Sequence, residues 1–187
     1  MVLSSQAVPA AVELRVGDVL RVAVWREPAL SGDFPVDQDG YVTLPLLGIR
    51  RADGMPWLRL RDSLLAGYRR ELRTESISLT PLRRIYVLGS VLRPGLYMLD
   101  PTLGLEGAVA LAGGAGLDGN LDRIRVMRDG QVFLDRIPVK ATGQQYDVRS
   151  GDQLFVERRS WIDRNSTLLL TSVILLAGIV VSLASRR

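Results

Sequence analysis

Short runs rich in valine, leucine and isoleucine, closed by glycine, proline or aspartate, recur through residues 12–158. Such runs are typical of β-strands separated by turns. Asp-Gly pairs at 39–40 and 129–130 each lie between two extended runs and predict hairpins. The predicted strands cover residues 19–25, 36–38, 41–45, 77–79, 85–91, 96–99, 124–127, 131–134 and 152–156. We expect Pro81 to end the strand at 77–79.

Two segments change from strand-like to helical periodicity. Residues 57–72 repeat apolar side chains at spacings of three and four, with arginines largely on the opposite side, and Pro56 lies at the predicted start. Residues 103–112 predict a second, shorter helix, for which Thr102 is the expected N-cap and Gly113 begins the stop.

The most apolar stretch of the chain is residues 167–184, which contain no charged side chain. As a helix this stretch would be about 27 Å long, close to the roughly 30 Å of a bilayer's hydrocarbon core. We therefore predict a C-terminal transmembrane helix over residues 166–185. A hydrophobic oligomerisation helix buried in protein is the alternative interpretation.

Small and hydroxyl-bearing residues fall on one side of this predicted helix. Small residues on one stripe allow helices to approach closely in lipid, and the same stripe could instead line the lumen of a ring of helices. The candidate helix-interface or pore-facing residues are Thr167, Thr171, Gly178, Ser182 and Ser185.

One six-residue pattern occurs twice. Residues 17–22 and 151–156 share Gly-Asp-x-Leu-x-Val, in which glycine and aspartate suit a turn and the two apolar residues suit one face of a strand. The repeat indicates two small β-rich units that use the same turn-to-strand device. A chance coincidence is the alternative.

The composition argues against several kinds of chemistry. The chain has no cysteine, so it lacks a thiol nucleophile and thiolate metal ligands. It has no histidine, so it also lacks the commonest general base and the commonest metal ligand. The carboxylate pair Asp37 and Asp39 flanks a turn, which accounts for it without catalysis; Asp118 and Asp122 form a second pair. We expect no enzyme activity, no catalytic residue, no cofactor and no metal. The net charge is +4, and the positive side chains are scattered along the sequence instead of grouped in one basic block. This distribution argues against nucleic-acid partners.

Several segments resemble the bacterial polysaccharide biosynthesis/export family, the Wza-like outer-membrane export proteins. Those typical of the export domain are residues 16–25, 27–32 and 36–48. Those similar to the family's soluble-ligand-binding β-grasp domain are residues 86–97, 111–115 and 151–156. The resemblance implies a homo-oligomeric ring with a central passage for a capsular or extracellular polysaccharide, in the outer membrane with a periplasmic body. It also implies an inner-membrane polysaccharide co-polymerase as partner, together with membrane lipid.

The predicted fold class is α+β, with a small export domain, one β-grasp-like domain and a C-terminal transmembrane helix. The predicted boundaries are 1–11 for an N-terminal segment that is a candidate remnant of an export signal, 12–83 for the export domain, 84–158 for the β-grasp domain and 166–185 for the helix. Two other functions stay open: a periplasmic adaptor anchored in the inner membrane, and a glycan-binding module that forms no pore.

Overall fold

The computed structural model describes residues 12–72, 76–139 and 146–159. The strands in these ranges are β1 (Val19–Val24), β2 (Gly32–Pro35), β3 (Tyr41–Leu44), β4 (Gly48–Arg51), β5 (Ile77–Gly89), β6 (Gly95–Leu99), β7 (Gly119–Arg128), β8 (Gln131–Ile137) and β9 (Gln153–Arg158). The helices are α1 (Trp57–Glu71) and α2 (Gly104–Leu111), and a 3-10 turn covers Pro28–Leu30.

One seven-stranded sheet dominates this part of the chain. Its strands follow the order β2-β1-β5-β9-β7-β8, and β6 pairs with β5 beside that path. β3 and β4 form a separate antiparallel pair. Since β5 pairs with β1 through its first half and with β6 and β9 through its second half, one strand belongs to both halves of the molecule.

The predicted fold class is wrong on two points. The described part is mostly sheet with two α-helices, and its halves share one sheet instead of forming separate α+β units. No helix in it is long and apolar enough to cross a membrane, so a C-terminal transmembrane helix is not supported. The longer helix, α1, has 15 residues, or about 22 Å, and carries several arginines. The predicted helix at 166–185 lies outside the described residues.

Pro81 does not end a strand, contrary to the prediction. Trp25 donates its backbone N–H to the carbonyl of Ser76 at 3.0 Å, which sets the alternation of hydrogen-bonded pairs between β1 and β5. By that alternation Pro81, opposite Leu20, occupies a non-hydrogen-bonded pair. Its ring nitrogen therefore points away from β1, toward the opposite edge of β5. On that edge β6 pairs with β5 only from Arg83 onwards. No ladder hydrogen bond is lost, and the strand continues.

Each half of the sheet has its own apolar core. Helix α1 contributes Leu60, Leu64 and Tyr68 to the first core, which also contains the inward side chains of β1. Helix α2 contributes Leu105, Ala108 and Val109 to the second, against β5, β7 and β9. The helical periodicity read from residues 57–72 thus marks a buried face.

The expected N-cap of α2 is wrong. The N-cap position is Leu103, which makes no side-chain capping hydrogen bond. Thr102 instead donates both its backbone N–H and its hydroxyl to the Asp100 carboxylate, at 2.8 and 2.7 Å. Asp100 therefore holds Thr102 in the turn before the helix, a competing local hydrogen bond of the kind that short polar side chains form.

Candidate functional site at the junction of two turns

The two copies of the Gly-Asp pattern have the same backbone geometry. The residue three positions before each aspartate is an arginine, so the repeat is Arg-x-Gly-Asp at 15–18 and 149–152. In each copy the aspartate N–H donates to the arginine carbonyl, at 3.0 and 3.1 Å. Its carboxylate accepts the arginine N–H, at 3.0 and 2.8 Å. Both glycines have positive φ, +86° and +94°, which favours glycine there. The repeat is therefore structural.

These two turns meet at Arg84, in the middle of β5. The backbone N–H of Arg84 donates to the Ser150 hydroxyl at 2.9 Å, and its carbonyl accepts the N–H of Gly151 at 2.8 Å. Its side-chain Nε donates to the carbonyl of Gly17 at 2.9 Å. One residue thus hydrogen-bonds to both turns.

Strand pairing explains why the turns converge there. β1 and β9 both pair with β5, β1 antiparallel from Leu82 backwards and β9 parallel from Tyr86 onwards. The alternation of hydrogen-bonding directions along β5 puts both strands on the same edge of β5, end to end. Each begins next to Arg84 and runs away from the other, so the turn before each strand fills the gap between them.

A direct contact between the turns completes the junction. The Ser150 hydroxyl donates to the Asp18 carboxylate at 2.6 Å. Asp18 is buried, with 3% of its surface exposed. Burial raises the pKa of Asp18 because it penalises the charged form, while the hydrogen bonds from Ser150 and from the backbone of Arg15 oppose that shift.

An arginine cluster surrounds Asp147 at the edge of the junction. Arg15 and Arg149 both hydrogen-bond to its carboxylate, and Arg83 lies 3.7 Å from it. Partial burial acts to raise the pKa of Asp147, but the hydrogen bond and charge of Arg15, with help from Arg149 and Arg83, leave it lowered. Arg15 precedes β1 and Arg83 lies on β5, so Asp147 links the second Arg-x-Gly-Asp turn to the first half of the molecule.

Asp152 is the most deeply buried carboxylate of the junction, with 1% of its side chain exposed. Arg128 on β7 binds it through two nitrogens, at 2.8 and 2.9 Å. The same guanidinium donates to the Asp147 carbonyl at 2.7 Å and lies 3.9 Å above the ring centre of Phe133. The hydrogen bond to Asp152 raises the pKa of Arg128. This fork geometry ties β7 to the start of β9.

The two halves joined here correspond to two known protein families. The model of the polysaccharide biosynthesis/export protein family matches residues 6–80, and that of the SLBB domain matches residues 84–135. Together the two matches support assignment of the chain to the polysaccharide biosynthesis/export family. Both matches are to families of transport and binding proteins rather than of enzymes. The three residues between the matches lie inside β5, so the export and SLBB domains of this family member share a strand.

A curated relative supports the same assignment. The chain is similar to the exopolysaccharide production protein ExoF of Rhizobium meliloti (strain 1021), with 30% identity over 109 residues. The match covers 51% of this chain and 26% of ExoF. The chain therefore spans about a quarter of the length of this relative, which contains much more than the region matched here.

The junction of this export-family chain is suited to holding two domains in one orientation. The carboxylates of Asp18, Asp147 and Asp152 are all engaged by hydrogen bonds from neighbouring groups. Asp37 is likewise engaged, because it accepts the N–H groups of Asp39 and Tyr41 at 3.1 and 2.8 Å, which confirms the turn interpretation of that pair.

The predicted site residues and the junction residues do not coincide. Thr167, Thr171, Gly178, Ser182 and Ser185 lie outside the described residues. Sequence reasoning found the repeated turn but missed Arg84, Ser150 and Arg128, which join it to the rest of the fold. The arginine at the same position before each Gly-Asp pair was a readable signal for a longer shared turn.

Proposed function

We propose that this chain is a subunit of a ring-forming outer-membrane assembly that exports a capsular or extracellular polysaccharide, with its body in the periplasm. The family matches support the export role, and the relative is named as an exopolysaccharide production protein. In this proposal the export domain spans residues 12–83 and the SLBB domain spans residues 84–158. An inner-membrane polysaccharide co-polymerase is the proposed partner, which delivers the polymer.

The observation that carries the proposal is the continuous strand β5, in which Arg84 hydrogen-bonds to both Arg-x-Gly-Asp turns. Shared backbone pairing and the Ser150–Asp18 hydrogen bond restrict the angle between the two family domains. A ring closes only if each copy repeats the same rotation relative to its neighbour, so a subunit with a fixed interdomain angle is favoured.

The ends of the sheet provide a second line of support. β2 and β8 are the terminal strands of the six-strand path, and most side chains of each are exposed. Two different terminal strands on one subunit suit head-to-tail contact between copies, the kind of contact that generates rings.

Two measurements on the full chain test the proposal. Mass measurement in mild detergent is expected to find a closed homo-oligomer. Deletion of the gene is expected to abolish surface polysaccharide, with polymer retained inside the envelope or its synthesis shut down. A strictly monomeric protein whose loss still blocks export would favour the periplasmic adaptor. Unchanged surface polysaccharide after deletion would refute an export role altogether.

A further inference from the structure

The outer face of β1 carries an exposed tryptophan with small neighbours. Side chains alternate along the strand, so Val22 and Val24 point into the core whereas Arg21 and Ala23 are exposed. The same alternation brings Trp25 to the outer face, where 67% of the residue is exposed. An indole of this size gains by burial, so its exposure is a feature that the core does not explain.

The neighbours of Trp25 leave open space beside the ring. Ala23 lies opposite Ser78 on β5, and the backbone of Trp25 pairs with Ser76. Small side chains at these positions create a shallow, open groove of about 450 Å³. The groove is lined by Ala23, Val24, Trp25, Arg26, Ser76, Ile77 and Ser78.

The turn that carries Trp25 is firmly held even though the ring is not buried. The Ser31 hydroxyl accepts the N–H of Val24 at 2.9 Å and lies 3.0 Å from the Glu27 carbonyl. Arg26 has a positive φ of 63°, a constrained backbone conformation for a residue other than glycine. The indole is thus presented from an ordered backbone, which lowers the entropy cost of binding a ligand.

Polar groups on the same face of β1 as the ring are of kinds that bind sugars. Arg26, Ser76 and Ser78 line the groove itself, and farther along the same face Arg21 binds Asp33 through two nitrogens, at 2.7 and 2.8 Å. Such planar charged groups, together with serine hydroxyls, suit the many hydroxyls of a glycan. The flat aromatic ring suits the C–H face of a pyranose.

The composition of the face also argues against other occupants. Among the described residues that line the groove, Trp25 is the one large apolar side chain that is mostly exposed; Ile77 is half-buried, Val24 is buried, and the others are alanine, serine and arginine. The core of a protein–protein interface is usually a cluster of several such side chains. A groove that is open along a sheet suits an extended polymer better than a compact small molecule, which is usually enclosed.

We propose that this face of the export domain binds a segment of the polysaccharide chain, with Trp25 as the stacking platform and Arg26 at the groove rim. The proposal rests on the export function above and deepens it. It assigns polymer contact to the export domain, not to the SLBB domain.

The binding test uses affinity electrophoresis of the full-length protein in gels that contain exopolysaccharide purified from the source organism, with dextran and alginate as reference polymers. Trp25→Ala is expected to bind the purified exopolysaccharide on the order of tenfold more weakly, the size expected from losing one aromatic stacking platform. Trp25→Tyr, which keeps an aromatic face, is expected to retain most of the binding. Tyr86→Ala is the matched control, since it removes a half-exposed ring from the SLBB side.

Several results would overturn the proposal. These are wild-type protein that binds none of the three polymers, Trp25→Ala that binds as wild type does, or a loss of binding in Tyr86→Ala alone. A Trp25→Ala protein that loses self-association or vesicle binding, with polymer binding unchanged, would identify a second copy or lipid as the occupant.

Complementation separates this proposal from the export function itself. Trp25→Ala, expressed to wild-type level in the deletion strain, is expected to restore much less surface polysaccharide than Tyr86→Ala does. Full restoration of surface polysaccharide by Trp25→Ala would refute polymer binding at the groove while leaving the export role in place. The export role fails instead if the deletion strain already has normal surface polysaccharide.

Discussion

The hydroxyl of Ser150 donates a 2.6 Å hydrogen bond to the carboxylate of Asp18, 132 residues earlier in the chain. Ser150 also accepts the backbone N–H of Arg84, so one small side chain connects both Arg-x-Gly-Asp turns to the strand between them. Because Asp18 is buried, water cannot replace a donor that is removed.

Ser150→Ala is expected to lower the free energy of unfolding by about 2 kcal/mol, the usual cost of removing a hydrogen bond to a buried charged group. Urea denaturation of the full chain measures it. Ser63→Ala is the matched control, because Ser63 is exposed on α1 and alanine favours helix. Equal stability of wild type and Ser150→Ala would mean that the contact between the turns contributes nothing.

Asp18 is expected to make stability fall as pH rises. Its pKa in the folded protein is raised above 3.8 by burial, so folding favours its protonated form. Its stabilising contribution is fully present below 3.8 and is lost as pH rises through the folded pKa. Asp18→Asn does not titrate, so the stability of wild type relative to this variant should decrease as the pH rises from below 3.8 through the folded pKa of Asp18.

Asp147 is the internal comparison, because its pKa is lowered. Its contribution is present above 3.8 and is lost as pH falls through the folded value, the opposite sign to Asp18. Relative to Asp147→Asn, wild type should therefore lose stability on acidification. Denaturation at a series of pH values measures both differences, and two curves of the same sign would contradict the assignment of these two carboxylates.

Local patterns predicted much of the secondary structure but little of its assembly. The apolar spacing in 57–72 and the Asp-Gly pair at 129–130 are local signals, and both elements formed. The prediction that Pro81 ends a strand was wrong. Whether a proline interrupts a strand depends on which edge its nitrogen faces, and that depends on the pairing partner. The role of Arg84 could not be predicted from local sequence either, because its partners lie about 67 residues away on either side.

Arg128→Ala is expected to destabilise the protein by about 3 kcal/mol, because it leaves the carboxylate of Asp152 buried and unpaired. Arg128→Lys should recover only part of this, since lysine cannot bind both oxygens through a planar fork. Arg21→Ala removes the exposed pair with Asp33 and should cost no more than about 1 kcal/mol. Denaturant titration of the three variants gives the values. A loss in Arg21→Ala as large as that in Arg128→Ala would show that burial does not set the strength of these pairs.

Gly89 ends β5 where the parallel strand β9 lies closest. A Cβ atom at Gly89 would lie 2.3 Å from the carbonyl oxygen of Val156, and the backbone φ there is +83°. Gly130 has a similar φ of +77°, but a Cβ at that position would meet nothing within 4 Å. Gly130→Ala should therefore cost only the backbone strain, about 1 kcal/mol, whereas Gly89→Ala should cost about 2 kcal/mol more, because the two paired strands must separate.

The comparison of these two glycines isolates the packing of β5 against β9 from the general preference of glycine for positive φ. Thermal and urea denaturation measure the difference in stability, and hydrogen exchange at the N–H of Ser90, which donates to the same Val156 carbonyl at 2.9 Å, reports the local separation. Faster exchange at Ser90 is expected in Gly89→Ala and not in Gly130→Ala. If both variants lost the same stability and Ser90 exchanged at the wild-type rate in both, the close parallel pairing that joins the end of β5 to β9 would be wrong. Of the described strands of the SLBB half, β6 alone would then still pair with β5.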